Sequence, residues 1–258
     1  MGKKQIEKKF SVILLCAGIG NRIKKLSKEP KCLLEINNKT ILEHNLNIIQ
    51  KCKVEDVIIV IGYKSRKILN FVMKLKLKLK IKFVKNSNPI LYGNTVSMYL
   101  GLKQITKGAI IIDGDLMYDE SVLKKILSKN NRSELVVGEG DINDIECAKT
   151  LVDKKKFVKK TIDKRKIYPT EIEKFYFAGE AIGIIKIIKE DIEKFKKNCK
   201  KFLNLKNNLK VNWEHLINNY VKKNSLNFLK LNKKYKWMEI DTPNDYFLAK
   251  KIFKKTYY

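Results

Sequence analysis

The stretch FSVILLCAGIGNRIKKLSKEPKCLLEI (10–36) opens as an apolar run, breaks at Gly18 and Gly20, turns basic and ends apolar again. A continuous apolar run of this length, FSVILLCAG (10–18), reads as a strand buried on both faces. Glycine directly behind such a strand lets a phosphate approach the backbone. The loop continues A-G-I-G-N-R, and Arg22 and Lys31 stand nine residues apart, a spacing suited to flanking one triphosphate from two sides. Arginine forks a phosphate, and lysine adds a mobile point charge. Two common phosphate motifs are excluded. A dinucleotide fingerprint needs a third glycine where Ile23 stands, and the segment holding Lys24, Lys25 and Pro30 lacks the pattern of a buried helix. The P-loop pattern G-x-x-x-x-G-K-[ST] is absent. On the residues alone, a tight turn with solvated bases stays open as the alternative.

Outward from this stretch, strand and helix patterns alternate. TILEHNLNIIQKC (40–52) has helical spacing with Thr40 as a cap, DVIIVIG (56–62) is a second buried strand, and SRKILNFVMKLK (65–76) is a helix. KIKFVKN (80–86) is a strand, TVSMYLGLKQI (95–105) a helix, GAIIIDGD (108–115) a strand and ESVLKKILSK (120–129) a helix. Such alternation predicts a mostly parallel sheet with helices on both faces. The second half changes character. Short strands at 133–139, 148–153, 155–163 and 179–187 are followed by helices near 189–203 and 212–223. Strands at 225–231 and 237–241 are expected to close the sheet, and a last helix spans 243–255 with Pro243 in its first turn. No repeat or Gly/Ser linker is visible. The whole of 1–258 reads as one domain: a nucleotide-binding half at about 10–135, an acceptor-binding subregion at about 140–220 and a closing strand and helix at about 225–255.

The formal net charge is +29, which raises a nucleic-acid-binding protein as a reading from another class. The composition argues against it. Only Arg22, Arg66, Arg132 and Arg165 are arginine among 56 basic residues, and the lysines run along the whole chain with much Asn and Ile. Nucleic-acid sites favour arginine forks and interleaved aromatics. This mix reads as the codon bias of an AT-rich genome. Cys16, Cys32, Cys52, Cys147 and Cys199 are odd in number and lack paired metal spacing, so free thiols in a reducing compartment are expected. No apolar run approaches the ~20 residues of a spanning helix, and the start MGKKQIEKKF does not read as a signal peptide. A cytoplasmic protein with no membrane partner is expected.

The pairing of G-x-G-x-R with P-K-x-L-L resembles the signature of the nucleoside-triphosphate transferase superfamily, the sugar-nucleotide pyrophosphorylases and their cytidylyltransferase relatives. Asn21 departs from the Ser or Thr usual there. The resemblance spans 10–255 and implies a Rossmann-like α/β fold of the nucleotide-diphospho-sugar transferase, GT-A type. It implies that Ala17, Gly18 and Gly20 hold nucleotide phosphates, and that Arg22 and Lys31 stabilise charge while the α-phosphate is attacked. Asp113 and Asp115 end an apolar strand in IIIDGD, where carboxylates face the ligand crevice of an α/β sheet. WMEIDTPNDYF is similar to the family's closing E-I-D-T segment. By that likeness Asp115 and Asp241 are the ligands of Mg²⁺, a hard cation suited to oxygen donors, with Asp113 bracing the loop and Glu239 behind Asp241.

NPILYGNTVSMYLGL (88–102) fills the base-reading place, with Asn94, Thr95 and Ser97 able to bond a base edge or ribose; Thr95 also reads as an ordinary cap. The N-T-x-S-M-Y form, and DIECAKTLVD ahead of GEAIGIIKI, look more like the phosphocholine and 2-aminoethylphosphonate cytidylyltransferases than the hexose-phosphate enzymes. That branch implies Lys149 at an acceptor phosphate or phosphonate and Glu180 at the acceptor or metal. Trp213 and Glu214 hold a cationic amine by ring face and charge, or are a core tryptophan beside a solvated acid. His44 reads as a packed helix residue, and His215 as a pocket residue only if Glu214 is one. The expected activity is Mg²⁺-dependent transfer of a nucleoside monophosphate, with CTP favoured, to a small phosphate or phosphonate acceptor. The runner-up is a sugar-1-phosphate nucleotidyltransferase. A MobA-like guanylyltransferase for a cofactor shares the front motif and fits the acceptor half less well.

Overall fold

A computed structural model of the chain describes residues 9–24, 26–128 and 131–254. Lys25, the basic start at 1–8 and the last residues of the helices expected to reach 129 and 255 lie outside the described residues. The first half contains β1 (Phe10–Cys16), the two-residue strands β2 (Glu35–Ile36) and β3 (Lys39–Thr40), helix α1 (Ile41–Lys51) and β4 (Asp56–Ile61). It continues with α2 (Ser65–Lys74), β5 (Lys80–Lys85), α3 (Asn94–Leu102), β6 (Gly108–Asp113), β7 (Leu116–Tyr118) and α4 (Glu120–Ile126). The second half holds β8 (Glu134–Gly138), β9 (Lys149–Val152), β10 (Val158–Ile162), the short α5 (Pro169–Ile172) and the long β11 (Tyr176–Ile187). Then come α6 (Lys189–Leu203), α7 (Trp213–Tyr220), β12 (Asn227–Lys230), β13 (Trp237–Glu239) and α8 (Pro243–Ile252).

Nine strands form one sheet, in the order β10-β9-β11-β6-β1-β4-β5, with β8 against the other edge of β11 and β12 against β8. β6, β1, β4 and β5 pair in parallel, so the parallel expectation is met where the glycine loop sits. β11 then runs antiparallel to β6, β8 and β9, which makes the whole sheet mixed. The sequence reading expected β13 to close this sheet; instead it pairs with β7 as a separate antiparallel ribbon. That exception matters, because it carries the closing carboxylates to the end of β6.

The apolar run of β1 is buried on both faces, and its alternation sorts the core into two layers. Val12, Leu14 and Cys16 pack with Leu42 and Leu46 of α1, Ile68 of α2 and Val122 of α4. Ile13 and Leu15 pack with Met98 of α3, Phe195 of α6 and Trp213 and Tyr220 of α7. A third, smaller cluster joins Ile23 and Leu34 of the opening stretch to Met117, Ile240 and Ala249 and Phe253 at the end of the chain. It fastens the glycine loop to the closing helix.

β11 changes partners along its length, from β9 at Tyr176–Glu180 to β6 at Ile184–Ile187. The register shifts between Phe177 and Gly179, and Gly179 takes φ 145° with its α-carbon pressed on β8. A Cβ there would lie 2.1 Å from the Gly138 carbonyl oxygen, a backbone atom that cannot turn aside. Gly179→Ala is therefore expected to destabilise the fold by about 2–4 kcal/mol, as strain plus overpacking. A fall in the urea midpoint measures it.

Candidate active site

The loop after β1 is shaped by Gly20, whose φ of 66° starts a 3-10 turn over Asn21–Ile23. A Cβ on Gly20 would stand 3.0 Å from the Lys31 Cβ, so the loop rests on the lysine stem. Pro30 enters a second 3-10 turn at Lys31–Leu33 with φ −52°, the value its ring imposes. Ile23 and Leu34 are buried beneath the two turns, which leaves Arg22 and Lys31 on the open side.

On the facing wall, the Asp115 carbonyl accepts from the Ile240 amide at 3.1 Å, which sets Asp115 beside Asp241. The Asp245 carboxylate receives the amides of Asp241 (3.0 Å) and Thr242 (2.7 Å), fixing this corner at the start of α8. Lys31 Nζ donates to Asp115 Oδ2 at 2.6 Å and to Asp241 Oδ1, with its side chain 11% exposed. Arg22 Nη2 meets Asp241 Oδ2 at 2.7 Å, and Arg22 Nη1 lies 3.6 Å from Glu146. Burial opposes the Lys31 charge, yet Asp115 and Asp241 outweigh it and hold the ammonium well above its ordinary range. Burial likewise raises Asp241, but Lys31 and Arg22 bring its carboxyl below the usual carboxylate range.

Behind these pairs lies a cleft of about 990 Å³. Ala17 and Gly18 line it, and nothing stands within 4 Å of where a Gly18 side chain would be. A side pocket of about 260 Å³ between Gly20, Arg22, Lys31, Asp115 and Asp241 adjoins it. In a chain of net charge +29, the large cleft is lined by ten carboxylates against two cations, Arg22 and Lys164. Asp113 and Glu239 both face Gly183, with Oδ2 and Oε1 3.1 and 2.9 Å from the point where a Cβ would be. Burial first, and then the neighbouring carboxylates, push both acids well above their ordinary range. Among the described residues, no three His, Cys, Asp or Glu side chains are grouped to hold a metal ion as they stand. Asp115 and Asp241 do fit a hard divalent cation: two carboxylate oxygens converge on the point that the Lys31 ammonium now holds.

Of the base-side residues, Asn94 and Ser97 line the cleft. Asn94 Oδ1 accepts from the Trp213 amide at 2.9 Å, and Ser97 Oγ accepts from Asn86 at 3.0 Å. Thr95 is turned away: it is fully buried and its hydroxyl donates to the Val211 carbonyl at 2.8 Å. On the acceptor side, Glu180 and Glu214 line the cleft as expected. Lys149 and Trp213 do not. Lys149 is fully buried and its ammonium is spent on backbone carbonyls, so it cannot meet an acceptor phosphate. Trp213 is 1% exposed, packed in the core, and its indole N–H donates to Asp113 Oδ2 at 3.1 Å. Its face is therefore closed to a cation, and it braces Asp113 instead. His44 is a packed helix residue bonded to the Tyr118 carbonyl at 2.8 Å, and burial lowers it to about 4. His215 is exposed and away from the cleft lining. Asn86, Glu146 and Lys164 were missed by sequence reasoning. A D-K pair at the end of a short strand, D163–K164, was the available signal for the last of them.

The profile of the MobA-like NTP transferase domain matches residues 12–150, more than half of the chain. The chain belongs to this family. The match covers the glycine loop, Lys31 and the Asp113–Asp115 turn, and ends in the first part of the acceptor subregion. A dUTPase profile matches residues 139–235, less than half of the chain. Among curated relatives, a D-glycero-alpha-D-manno-heptose 1-phosphate guanylyltransferase of Campylobacter jejuni is 29% identical over 53% of this chain and 60% of its own. A choline-phosphate cytidylyltransferase of Streptococcus pneumoniae is 27% identical over 47% of this chain and 51% of its own. The chain thus spans about half to three fifths of the length of these relatives. The structure of an inositol-1-phosphate CTP transferase from T. maritima superposes with a TM-score of 0.75 at 19% identity, covering 97% of this chain and 98% of that one. This likeness establishes the nucleotide-diphospho-sugar transferase-like fold.

Glu214 offers a test of the cleft's electrostatics. Its Oε2 is shut off from solvent without a hydrogen-bond partner, and burial, helped by Asp163 and Asp115, pushes it from 4.5 to about 7. The folded state holds this proton more tightly than the unfolded chain does. The native fold keeps that advantage below the ordinary carboxyl range and loses it as pH rises through about 7. Glu214→Gln is expected to match the native chain near pH 4.5 and to exceed its stability by about 2 kcal/mol at pH 8. Urea unfolding at the two pH values measures the crossover.

Proposed function

We propose that the chain is a nucleotidyltransferase that moves a nucleoside monophosphate from a nucleoside triphosphate, CTP by preference, to a small phosphorylated or phosphonate acceptor. The observation that carries this reading is the Lys31 ammonium clamped between Asp115 and Asp241 at the lip of a glycine loop, with Arg22 on Asp241. The two bases and two carboxylates pair with one another. A triphosphate would offer the two bases other anions to pair with, which would leave the carboxylates free. Asp115 and Asp241 are the residues that would hold Mg²⁺, and the ion supplies charge neutralisation to the phosphates.

The rest falls to the chain's own groups. Gly18 leaves room for close approach of phosphate to the backbone. Lys31 and Arg22 bind the phosphate oxygens on which charge builds. An acceptor phosphate or phosphonate oxygen attacks the α-phosphorus in line; the new O–P bond forms, the bond to the β-phosphate oxygen breaks and pyrophosphate leaves. The acceptor is already an anion, so no residue is needed as a general base. Positioning and charge stabilisation carry the rate. Asn94 and Ser97 line the cleft, which supports a role for them at the base or ribose.

The acid-rich wall supports an acceptor that carries a cationic amine as well as its anionic end, with Glu180 and Glu214 facing the amine. CTP is supported by the cytidylyltransferase relative and by the family pattern around Asn94. The heptose-phosphate guanylyltransferase relative favours a second reading, GTP with a sugar 1-phosphate. Pyrophosphate release across four nucleotides and phosphocholine, 2-aminoethylphosphonate and several sugar 1-phosphates separates them. CTP with an amine-bearing acceptor is expected to win. GTP with a sugar 1-phosphate winning would establish the second reading.

Lys31→Met and Arg22→Met are each expected to lower turnover about 10²–10³-fold at saturating substrate. Lys31→Met should also lower stability, because it leaves Asp115 and Asp241 facing each other with only Arg22 between. Asp115→Asn and Asp241→Asn are expected to weaken Mg²⁺ dependence as one unit. The double variant should lose less than the product of the single losses in initial-rate titrations with Mg²⁺.

A further inference from the structure

Cys16 closes β1, and Cys32 sits in the 3-10 turn at Lys31–Leu33. Their sulfurs meet. The Cys16 thiol donates a hydrogen bond to Cys32, and this contact, with burial, pushes it well above its ordinary range. Both residues line the side pocket between Gly20 and Lys31. Cys16 is 4% and Cys32 3% exposed, so a small molecule reaches them from the pocket side. The other cysteines are placed differently: Cys52 and Cys199 line neither the side pocket nor the cleft, and Cys147 lines the cleft alone.

The two sulfurs lie against the two halves of one ion pair. A Cβ on Gly114 would stand 2.9 Å from Cys16 Sγ, so that thiol presses on the turn that carries Asp115. Cys32 directly follows Lys31 in its own turn. The supports differ in stiffness. β1 is held from both sides, with Leu15 beside Asp113 of β6 and Cys16 beside Ile61 of β4. The Cys32 turn is three residues long, with loop before it and the two-residue β2 after it. A bond that draws the sulfurs from hydrogen-bond contact to covalent distance therefore moves the turn, and Lys31 with it, and leaves the strand in place. Gly20 rests on the Lys31 stem, so the glycine loop is disturbed by the same movement.

We propose that Cys16 and Cys32 are a modification site: hydrogen peroxide oxidises them to a disulfide, and the new bond withdraws Lys31 from Asp115 and Asp241. The Cys32 sulfur attacks one peroxide oxygen, the O–O bond breaks, and the departing oxygen takes the Cys32 thiol proton and leaves as water. The Cys16 sulfur then attacks the sulfur of the Cys32 sulfenic acid. The S–S bond forms, the S–O bond breaks, and the hydroxyl leaves with the Cys16 proton as a second water. Two thiols lose two electrons, and one peroxide gains them. The disulfide stands on the placement of the thiols; its effect on turnover rests on the nucleotidyl-transfer reading.

Peptide mass spectrometry of the native chain, digested without reductant after peroxide treatment, reads the bond directly. A linked Cys16–Cys32 peptide is expected, with Cys52 and Cys199 still reduced and dithiothreitol reversing the link. Absence of that peptide, or equal oxidation at every cysteine, overturns the site. Reductive methylation reads the place of Lys31 without any turnover. Lys31 is ion-paired with a side chain 11% exposed in the reduced chain, and it should be modified about tenfold faster in the disulfide form. An unchanged Lys31 rate overturns the displacement. Peroxide is expected to lower pyrophosphate release about 10²-fold, the scale of a misplaced reacting group, and dithiothreitol to restore it. Cys32→Ser should form no linked peptide and keep its turnover in peroxide; an equal loss in this variant overturns the link between disulfide and activity. If Cys32→Ser does not fold, the linked peptide and the Lys31 rate of the native chain decide. If the reduced native chain releases no pyrophosphate with any nucleotide and acceptor, the nucleotidyl-transfer reading falls, while the peptide and the Lys31 rate still decide the thiol site.

Discussion

One ammonium gathers three distant parts of the chain. Lys31 follows the glycine loop, Asp115 follows β6 and Asp241 follows β13, and each is fixed by its own local device. Pro30 sets the lysine turn, the β7–β13 ribbon sets the two aspartates side by side, and Asp245 holds the Asp241 backbone. The apolar cluster of Ile23, Leu34, Ile240 and Phe253 then brings the two sides together from below. An ion pair this shielded is costly to form unless the surrounding structure holds the partners in place. The fold near the loop is organised around meeting that cost.

Charge is partitioned in an unusual way. Most of the described lysines lie on the exterior, Lys31, Lys149 and Lys186 excepted, and the cleft carries ten carboxylates against Arg22 and Lys164. Burial and mutual repulsion push Asp113 and Glu239 well above the usual carboxylate range. The positive exterior attracts a polyphosphate from a distance, while the acidic interior rejects it unless cations come along.

The strands and helices of the first half were legible because each obeys one period. β1 is apolar but for Ser11 since it is covered on both faces, and α1 keeps its stripe from Ile41 to Ile49. Arg22, Lys31, Asp115 and Asp241 were legible as a spaced set, and the structure does bring them together. Lys149 and Trp213 were not readable as what they are. A lysine that donates to backbone carbonyls leaves no pattern in side-chain types, and an indole bonded to Asp113 looks in sequence like any tryptophan beside an acid. The separate β7–β13 ribbon was hidden for a similar reason: two three-residue strands carry too little periodicity to show their pairing.

The order of the elements also sets a schedule. Asp241 lies in a segment made after every strand of the main sheet, yet it is the second anchor of Lys31 and the contact of Arg22. While a ribosome is still extending the chain, the glycine loop, the parallel strands and their helices can pack, but the clamp has only Asp115 to hold. The cleft acquires the Asp241 contacts only after the β13 ribbon and α8 have been made and have docked. Until then Lys31 and Arg22 lack Asp241, and the docking of α8 turns an open basic loop into a charge-paired one.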